Sequence, residues 1–280
     1  MLKQWKVAMV GAGAIAGALI DAFFHTGVVT PERIRVINRN NRDQLLRLQA
    51  KYRIHPCDSI AEAVTDADLV ILSVKPKDAA EALQEAAKSA PDHALYLSVV
   101  AGKSIEWMTG LIRAAQSERE QVAWPRVVRT MPNTSCQVRE SATAYAASAN
   151  CTEVDIQNVE ILLRAVGSAH PIEERLLDAV TGLSGSGPAY FYYMVESLAK
   201  AAIDVGLDEK TAKDLLAQTI YGAALMLRHT GETPEKLRSD VTSPGGTTMA
   251  GISVLEARDF QNAVRAAVQA AAKRATELGE

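Results

Sequence analysis

The segment Asp240-Val-Thr-Ser-Pro-Gly-Gly-Thr-Thr-Met-Ala-Gly-Ile-Ser-Val-Leu-Glu256 combines glycines, hydroxyls and a helical pattern in one run. Ser243-Pro244 ends whatever precedes it. Gly245-Gly246 removes two side chains, so backbone N–H groups can approach a ligand closely. Met249, Ile252, Leu255 and Glu256 recur at spacings of three and four, which predicts a helix from Thr247 onward. The unpaired amides of a helix start and the positive end of its dipole point the same way, toward an anion. The chemistry expected here is capture of an anion by the loop, with the adjacent hydroxyls of Thr247 and Thr248 at its mouth. The plainer alternative is an inter-helix turn with a threonine cap.

A second run that could do chemistry is Lys6-Val-Ala-Met-Val-Gly-Ala-Gly-Ala-Ile-Ala-Gly17. It reads as a buried strand, a glycine turn and a helix start. In the pattern G-x-G-x-x-A, Gly11 permits a tight turn. Gly13 lets a pyrophosphate reach the backbone, and Ala16 lets helix and strand pack closely. Ala14 lies in the turn, and Ile15 opens the helix expected over Ile15–His25. The position after a strand and before a helix predicts dinucleotide binding. The second strand, Arg33–Ile37, is followed by Asn38-Arg39-Asn40 and not by an acid. A carboxylate there would bind ribose hydroxyls and repel a 2′-phosphate; Arg39 would attract the phosphate through charge-assisted hydrogen bonds. The expected cofactor is therefore NADPH, with NADH weaker.

Strands and helices alternate up to about residue 171, which predicts a Rossmann-type doubly wound, mostly parallel sheet. Ligands of such sheets lie at the carboxyl ends of the strands. Val74-Lys75-Pro76, Val100-Ala101-Gly102 and Met131-Pro132-Asn133-Thr134 fall at those ends. From about Ile172 the pattern is helical. The expected division is a dinucleotide-binding domain over 1–171 and an all-α dimerisation and substrate domain over 172–280. The helix over Glu209–Thr230 carries Leu215, Leu216, Ile220, Ala223, Ala224 and Leu227 around much of its circumference. Such a helix is buried on most sides. About 110 residues of helix cannot bury that much surface alone, so a homodimer or an oligomer of dimers is expected.

Composition narrows the class. The 280 residues have a net charge of -3 and 48% hydrophobic residues, which gives no support for a nucleic-acid partner. Lys3 and Lys6 precede an apolar run, Val7–Ile20, that superficially looks like a signal peptide but is too short to span a bilayer. Three scattered cysteines argue against a disulfide framework or a zinc site and for a reducing cytoplasm. No histidine pairing points to a metal.

Taken together, the motifs resemble the pyrroline-5-carboxylate reductase family nearly end to end. The resemblance rests on the first glycine turn, Val74-Lys75-Pro76, Arg129–Thr134, Thr181-Gly-Leu-Ser-Gly-Ser-Gly-Pro-Ala-Tyr190 and Ser243–Glu256. It implies NADPH-dependent reduction of a cyclic imine carboxylate, the last step of proline biosynthesis. It implies that Thr248 contacts the ring nitrogen, that amides around Gly246–Thr248 hold the carboxylate, and that Glu174 is a substrate-proximal acid. The active site would then lie between nicotinamide and the Ser243–Thr248 loop, near the dimer interface. Two departures stand out. The family often has Asn at the position of Ala14, and a small-residue loop where this chain has Ser135-Cys-Gln-Val-Arg-Glu-Ser141. The alternative is a reductase of the wider 6-phosphogluconate-dehydrogenase-like group acting on another imine or keto acid; those that reduce β-hydroxyacid-type substrates generally rely on a lysine in the helical domain, and Lys200 carries no motif around it.

The apolar helix generates the first test. Sedimentation at micromolar concentration should give at least twice the 30.1 kDa chain mass. A monomer with full activity would remove the dimer from the reading.

Overall fold

The computed structural model describes residues 2–39, 41–119 and 123–279. Eight strands form one sheet: β1 (Val7–Val10), β2 (Ile34–Ile37), β3 (His55–Pro56), β4 (Leu69–Leu72), β5 (Leu95–Ser98), β6 (Arg126–Met131), β7 (Ser141–Ala147) and β8 (Gly167–Pro171). Their spatial order is β3-β2-β1-β4-β5-β6-β7-β8. Neighbours run parallel except β6 and β7, which are antiparallel. The first six strands have the order of a dinucleotide-binding sheet, with the reversal between β1 and β4.

Both faces of the sheet are covered, as a parallel sheet requires. Alternate residues of each strand therefore enter two separate cores. Val7 and Met9 of β1, Leu69 and Ile71 of β4, and Leu95 and Leu97 of β5 point to one. That core is closed by α1 (Ala14–Thr26), α2 (Arg42–Tyr52) and, further along the chain, α6 (Glu153–Arg164). Ala8, Val10, Val70, Leu72 and Tyr96 point to the other, closed by α3 (Ile60–Val64), α4 (Ala79–Ser89) and α5 (Ile105–Ala115). The helix starts follow local chemistry: the side chains of Asn41, Ser59, Ser104 and Thr152 each accept the amide three residues on.

After β8 come a short α7 (Leu177–Val180), a π-helical turn over Thr181–Gly185, and the helices α8 (Gly187–Asp204), α9 (Glu209–Thr230), α10 (Pro234–Asp240), α11 (Thr247–Ala257) and α12 (Phe260–Glu277). Three elements go beyond the sequence pattern: β3, β8 and α10. β3 is two residues long, and β8, Gly-Ser-Ala-His-Pro, has no β-branched or aromatic residue. A strand of that composition forms because β7 offers it a parallel partner. The sequence does carry a signal for α10, Thr233 as cap and Pro234 in the first turn.

The chain packs as two units, Met1–Ser186 with Gln269–Glu280, and Gly187–Val268. Residues 172–186, which composition groups with the helical half, pack with the sheet: Leu177 is buried with Ala144 and Ala146 of β7. In the second unit, Gly187 and Ala212 are the fully buried residues. Phe191, Tyr192, Tyr193, Leu215, Tyr221, Met226, Leu227 and Val254 are each between 47% and 62% exposed except Tyr193 at 73%. Apolar surface of that extent on a monomer marks an interaction face.

Gly167 and Gly110 provide a matched test of packing. Gly167 has φ +146°, and a Cβ there would lie 2.1 Å from the Ser141 carbonyl oxygen of β7. Gly110 sits inside α5 with nothing within 4 Å of an added Cβ. Gly167→Ala should lower stability by about 3 kcal/mol or more. Gly110→Ala should raise it by roughly 0.5–1 kcal/mol. Urea unfolding checks both, and a neutral Gly167→Ala would show that β8 is not pinned to β7 as described.

Candidate active site

The switch between β1 and β4 is fastened by Ser73. Its hydroxyl donates to the Gly11 carbonyl at 2.9 Å and the Val10 carbonyl at 3.2 Å, and its amide donates to the Val10 carbonyl at 2.9 Å. Gly11 has φ +106°, and a Cβ there would lie 2.6 Å from the Ser73 carbonyl oxygen, so no other residue fits the turn. Gly13 is the N-cap of α1 and makes no side-chain cap. A Cβ on Gly13 would meet nothing within 4 Å, so the space above the first α1 amides is open. Gly13 and Ala14 are exposed, Ile15 is half-buried and Ala16 is fully buried against the core. Such a helix start could receive an anion at its first amides. Ser73 was not among the residues that spacing singled out, because its role needs β4 beside β1.

Beside the turn, Gly11, Asn38, Arg39, Val74, Asp78, Glu81 and Ala82 are among the residues lining a cleft of about 230 Å³. Arg39 reaches across it to α4: its Nη1 donates to Glu81 Oε1 at 2.8 Å, and its Nη2 pairs with Glu85. The Glu81 hydrogen bond, with Glu85 adding to it, keeps the guanidinium more firmly protonated than usual. Asn40 lies outside the described residues. Lys75 is exposed and Pro76 opens the turn leading to α4. Val100 is buried, Ala101 is half-buried, and Gly102 packs against the backbone of Leu278–Gly279. The hydrogen-only face of Gly102 thus serves chain packing.

Glu174 has two partners within the sheet unit. Its Oε1 accepts the Ile105 amide at 2.6 Å, at the start of α5, and lies 3.5 Å from Arg129 Nη1. Arg129, on β6, is buried and donates to Asp178 at 2.6 Å, while Asp178 accepts the Thr276 hydroxyl at 3.2 Å. Asn133 donates from its side chain to the Ser184 carbonyl at 3.0 Å, which joins the Arg129–Thr134 segment to the π-helical turn. Such turns recur at functional sites.

In the second unit, Gly245 has φ +72°, and the Gly246 amide donates to the Ser243 carbonyl at 3.0 Å, closing the turn. The Gly246 N–H is thus engaged within the loop, and the donors left for an anion are the amides from Thr247 onward. A Cβ on Gly246 would lie 2.5 Å from the Ser243 hydroxyl. Gly246 is the N-cap of α11, without a side-chain cap, and Thr247 and Thr248 are its first two residues, both exposed. Burial pushes the Cys57 thiol up to about 11 and raises those of Cys136 and Cys151, which keeps all three thiols protonated at neutral pH.

Residues 174–278 match the family model for pyrroline-5-carboxylate reductase dimerisation, and residues 6–102 match one for NADP oxidoreductase, coenzyme F420-dependent. The chain is 42% identical over 275 residues to pyrroline-5-carboxylate reductase 2 of Bacillus subtilis, covering 98% of this chain and 95% of that protein. The chain belongs to the pyrroline-5-carboxylate reductase family. Its fold is similar to that of the Coxiella burnetii pyrroline-5-carboxylate reductase, with a TM-score of 0.85, 33% identity and 99% of both chains covered. It is also similar to the Plasmodium falciparum pyrroline carboxylate reductase crystallised with NADP bound, with a TM-score of 0.88, 26% identity and 100% of both chains covered.

The loop over Ser135–Ser141 carries Arg139 and Glu140, and the structure accounts for the first. Arg139 closes the 3₁₀ turn over Thr134–Val138 with φ +61°. Its guanidinium lies 3.5 Å from Asp21 of α1, a carboxylate that also accepts the Tyr52 hydroxyl at 2.5 Å. The charge thus ties the loop to Asp21 of α1. Ala14, the other departure, stands at the first position of α1.

The Arg129 network gives the test for this half. Asp178→Ala leaves a buried guanidinium with Glu174 at longer range and should cost about 2–4 kcal/mol. Glu174→Ala removes an exposed-side partner and the α5 amide acceptor and should cost about 1 kcal/mol. Urea unfolding of both variants decides; an Asp178→Ala chain as stable as the parent would show that Arg129 does not depend on this pair.

Proposed function

We propose that this chain reduces 1-pyrroline-5-carboxylate to L-proline with NADPH, the last step of proline biosynthesis, as a homodimer or an oligomer of dimers. Family membership along the whole chain, with the Gly-Gly-Thr-Thr loop intact at the start of α11, carries the reading. The functional division follows the sequence, with dinucleotide binding in 1–171 and dimerisation and substrate binding in 172–280. No helix among the described residues is long and apolar enough to cross a membrane, and we place the enzyme in the cytoplasm.

The chain's own groups suit the cofactor. The Gly11 turn, the open space above Gly13 and the Arg39 cation fit a phosphorylated dinucleotide. Asn38, Val74, Lys75, Pro76, Val100 and Ala101 border it at the strand ends. When bound, NADPH supplies the hydride that the imine carbon accepts. The protein's part is to hold the imine and its charges.

The substrate carboxylate sits on the amides of Thr247 and Thr248 at the positive end of α11. Gly246 and Ser243 shape the turn that aims those amides. The Thr248 hydroxyl holds the ring nitrogen and can donate or accept because it rotates. A protonated imine takes hydride far more readily than a neutral one, so the hydroxyl's task is to keep the iminium nitrogen in place. Threonine is a poor acid, and solvent supplies the proton. Hydride on carbon and proton on nitrogen together give the secondary amine of proline. Glu174 is assigned as a substrate-proximal acid, and within its own unit its carboxylate holds the Ile105 amide and Arg129.

The assay is NADPH oxidation with pyrroline-5-carboxylate against keto acids and other cyclic imines. Thr248→Ala removes one hydrogen bond to a charged group, worth roughly 1.5–3 kcal/mol. It should lower kcat/KM about ten- to a hundredfold with NADPH affinity unchanged. Thr248→Ser should keep most activity, and Thr247→Ala should matter less because its backbone, not its hydroxyl, meets the substrate. A crippled Thr247→Ala beside an active Thr248→Ala would exchange the two roles. Full activity in both would make the loop a structural turn.

A further inference from the structure

We propose that Glu81 and Glu85 set how strongly this chain prefers NADPH over NADH, by competing with the 2′-phosphate for Arg39. The inference rests on the reading of Arg39 as the phosphate's partner given above. The two acids lie four residues apart on α4, so they stand one turn above each other on the same helix face. Both hold the one guanidinium: Glu81 through Nη1 at 2.8 Å, Glu85 through Nη2. Glu81 lines the cleft together with Gly11, Asn38, Arg39 and Val74. Two carboxylates around one guanidinium leave a net negative charge where a phosphate bearing nearly two negative charges must arrive.

The two cofactors meet this arrangement differently. A ribose with free hydroxyls can donate to the Glu81 carboxylate and leave the Arg39 pairs intact. A 2′-phosphate offers no donor to a carboxylate. It must take Arg39 away from at least one acid and then remain beside it. The carboxylates therefore weaken the binding of the phosphorylated cofactor and tolerate the other. Arg39 supplies the attraction for phosphate, and the acids of α4 limit it. The side chains are 49%, 72% and 36% exposed for Arg39, Glu81 and Glu85, so water screens the pairs and the effect is modest.

The probes are 2′,5′-ADP and 5′-ADP, titrated calorimetrically into the full chain without substrate, so that the readout is binding alone. Variants are Arg39→Ala, Glu81→Gln, Glu85→Gln and the double glutamine chain, each with unfolding checked. Exposed pairs of this kind predict a gain of about three- to tenfold in 2′,5′-ADP affinity for the double variant, with 5′-ADP unchanged or weaker. The gain should shrink toward roughly 1 M salt, where the Debye length is about 3 Å. Arg39→Ala should lose about tenfold or more for 2′,5′-ADP and little for 5′-ADP. If Arg39→Ala behaves so while the glutamine variants leave the ratio of affinities unmoved, or lower it, competition is overturned and the phosphate reading stands. If Arg39→Ala leaves the ratio unmoved, the phosphate reading fails and the competition with it.

Discussion

The Ser73 bridge between β1 and β4 is the contact on which the dinucleotide half depends. Strand order reverses at that point, so the helices following β1 and β4 leave on opposite faces of the sheet and a crevice opens between them. The crevice is useful only if the backbone at its floor is fixed. Ser73 fixes it with two donors, a hydroxyl proton shared between the Gly11 and Val10 carbonyls and an amide to Val10. The same closeness forbids a side chain at Gly11. It also delivers α1 with its first amides facing open space, and sets Asn38–Arg39 at the end of β2 against α4. The buried alternation of β1 and β4 residues into two cores holds the pair of strands rigid.

The second unit obeys a different constraint. With Gly187 and Ala212 as its fully buried residues, Gly187–Val268 lacks the internal core that an isolated helical domain needs. Its helices form because α9 is well capped by Asp208 and closed by Gly231, and because α8 and α9 pack on each other. Helix propensity and one helix pair do not stabilise so much exposed aromatic and aliphatic surface. A second copy is the natural cover, and the Ser243–Thr248 loop proposed for the substrate grows from the same unit.

Much of this was legible in the sequence, for a physical reason in each case. The Gly11 and Gly245-Gly246 turns are local: the absence of a side chain is itself the signal. The alternation of strands and helices followed from periodicity, and Thr247 as the first residue of α11 from the apolar spacing after it. Contacts between distant residues were not legible. Ser73 against Gly11, Glu81 and Glu85 against Arg39, and Glu174 against Ile105 and Arg129 join positions far apart in the chain, and nothing local distinguishes those side chains from ordinary surface polar residues. The use of the Gly246 amide inside its own turn was hidden for another reason, since it depends on backbone angles that composition does not fix. β8 was hidden because its pairing with β7, and not its own propensity, makes it a strand.

Among the helix starts, those of α1 and α11 are distinguished by their glycine caps. In α2, α3, α5, α6, α9 and α10 a side chain of Asn, Ser, Thr or Asp accepts a first-turn amide. In α1 and α11 the cap is a glycine in extended conformation, Gly13 and Gly246, and no side chain takes the amides. A side-chain cap stabilises a helix by about 1 kcal/mol, so leaving it out, as α4 and α7 also do, has a cost that packing must offset. The same omission keeps the donors and the positive dipole end for an outside anion. The two glycine-capped starts thus share one device, open to the pyrophosphate and the carboxylate proposed above. The glycines that a sequence pattern flags as permissive for turns matter as much for what they do not donate to their own helices.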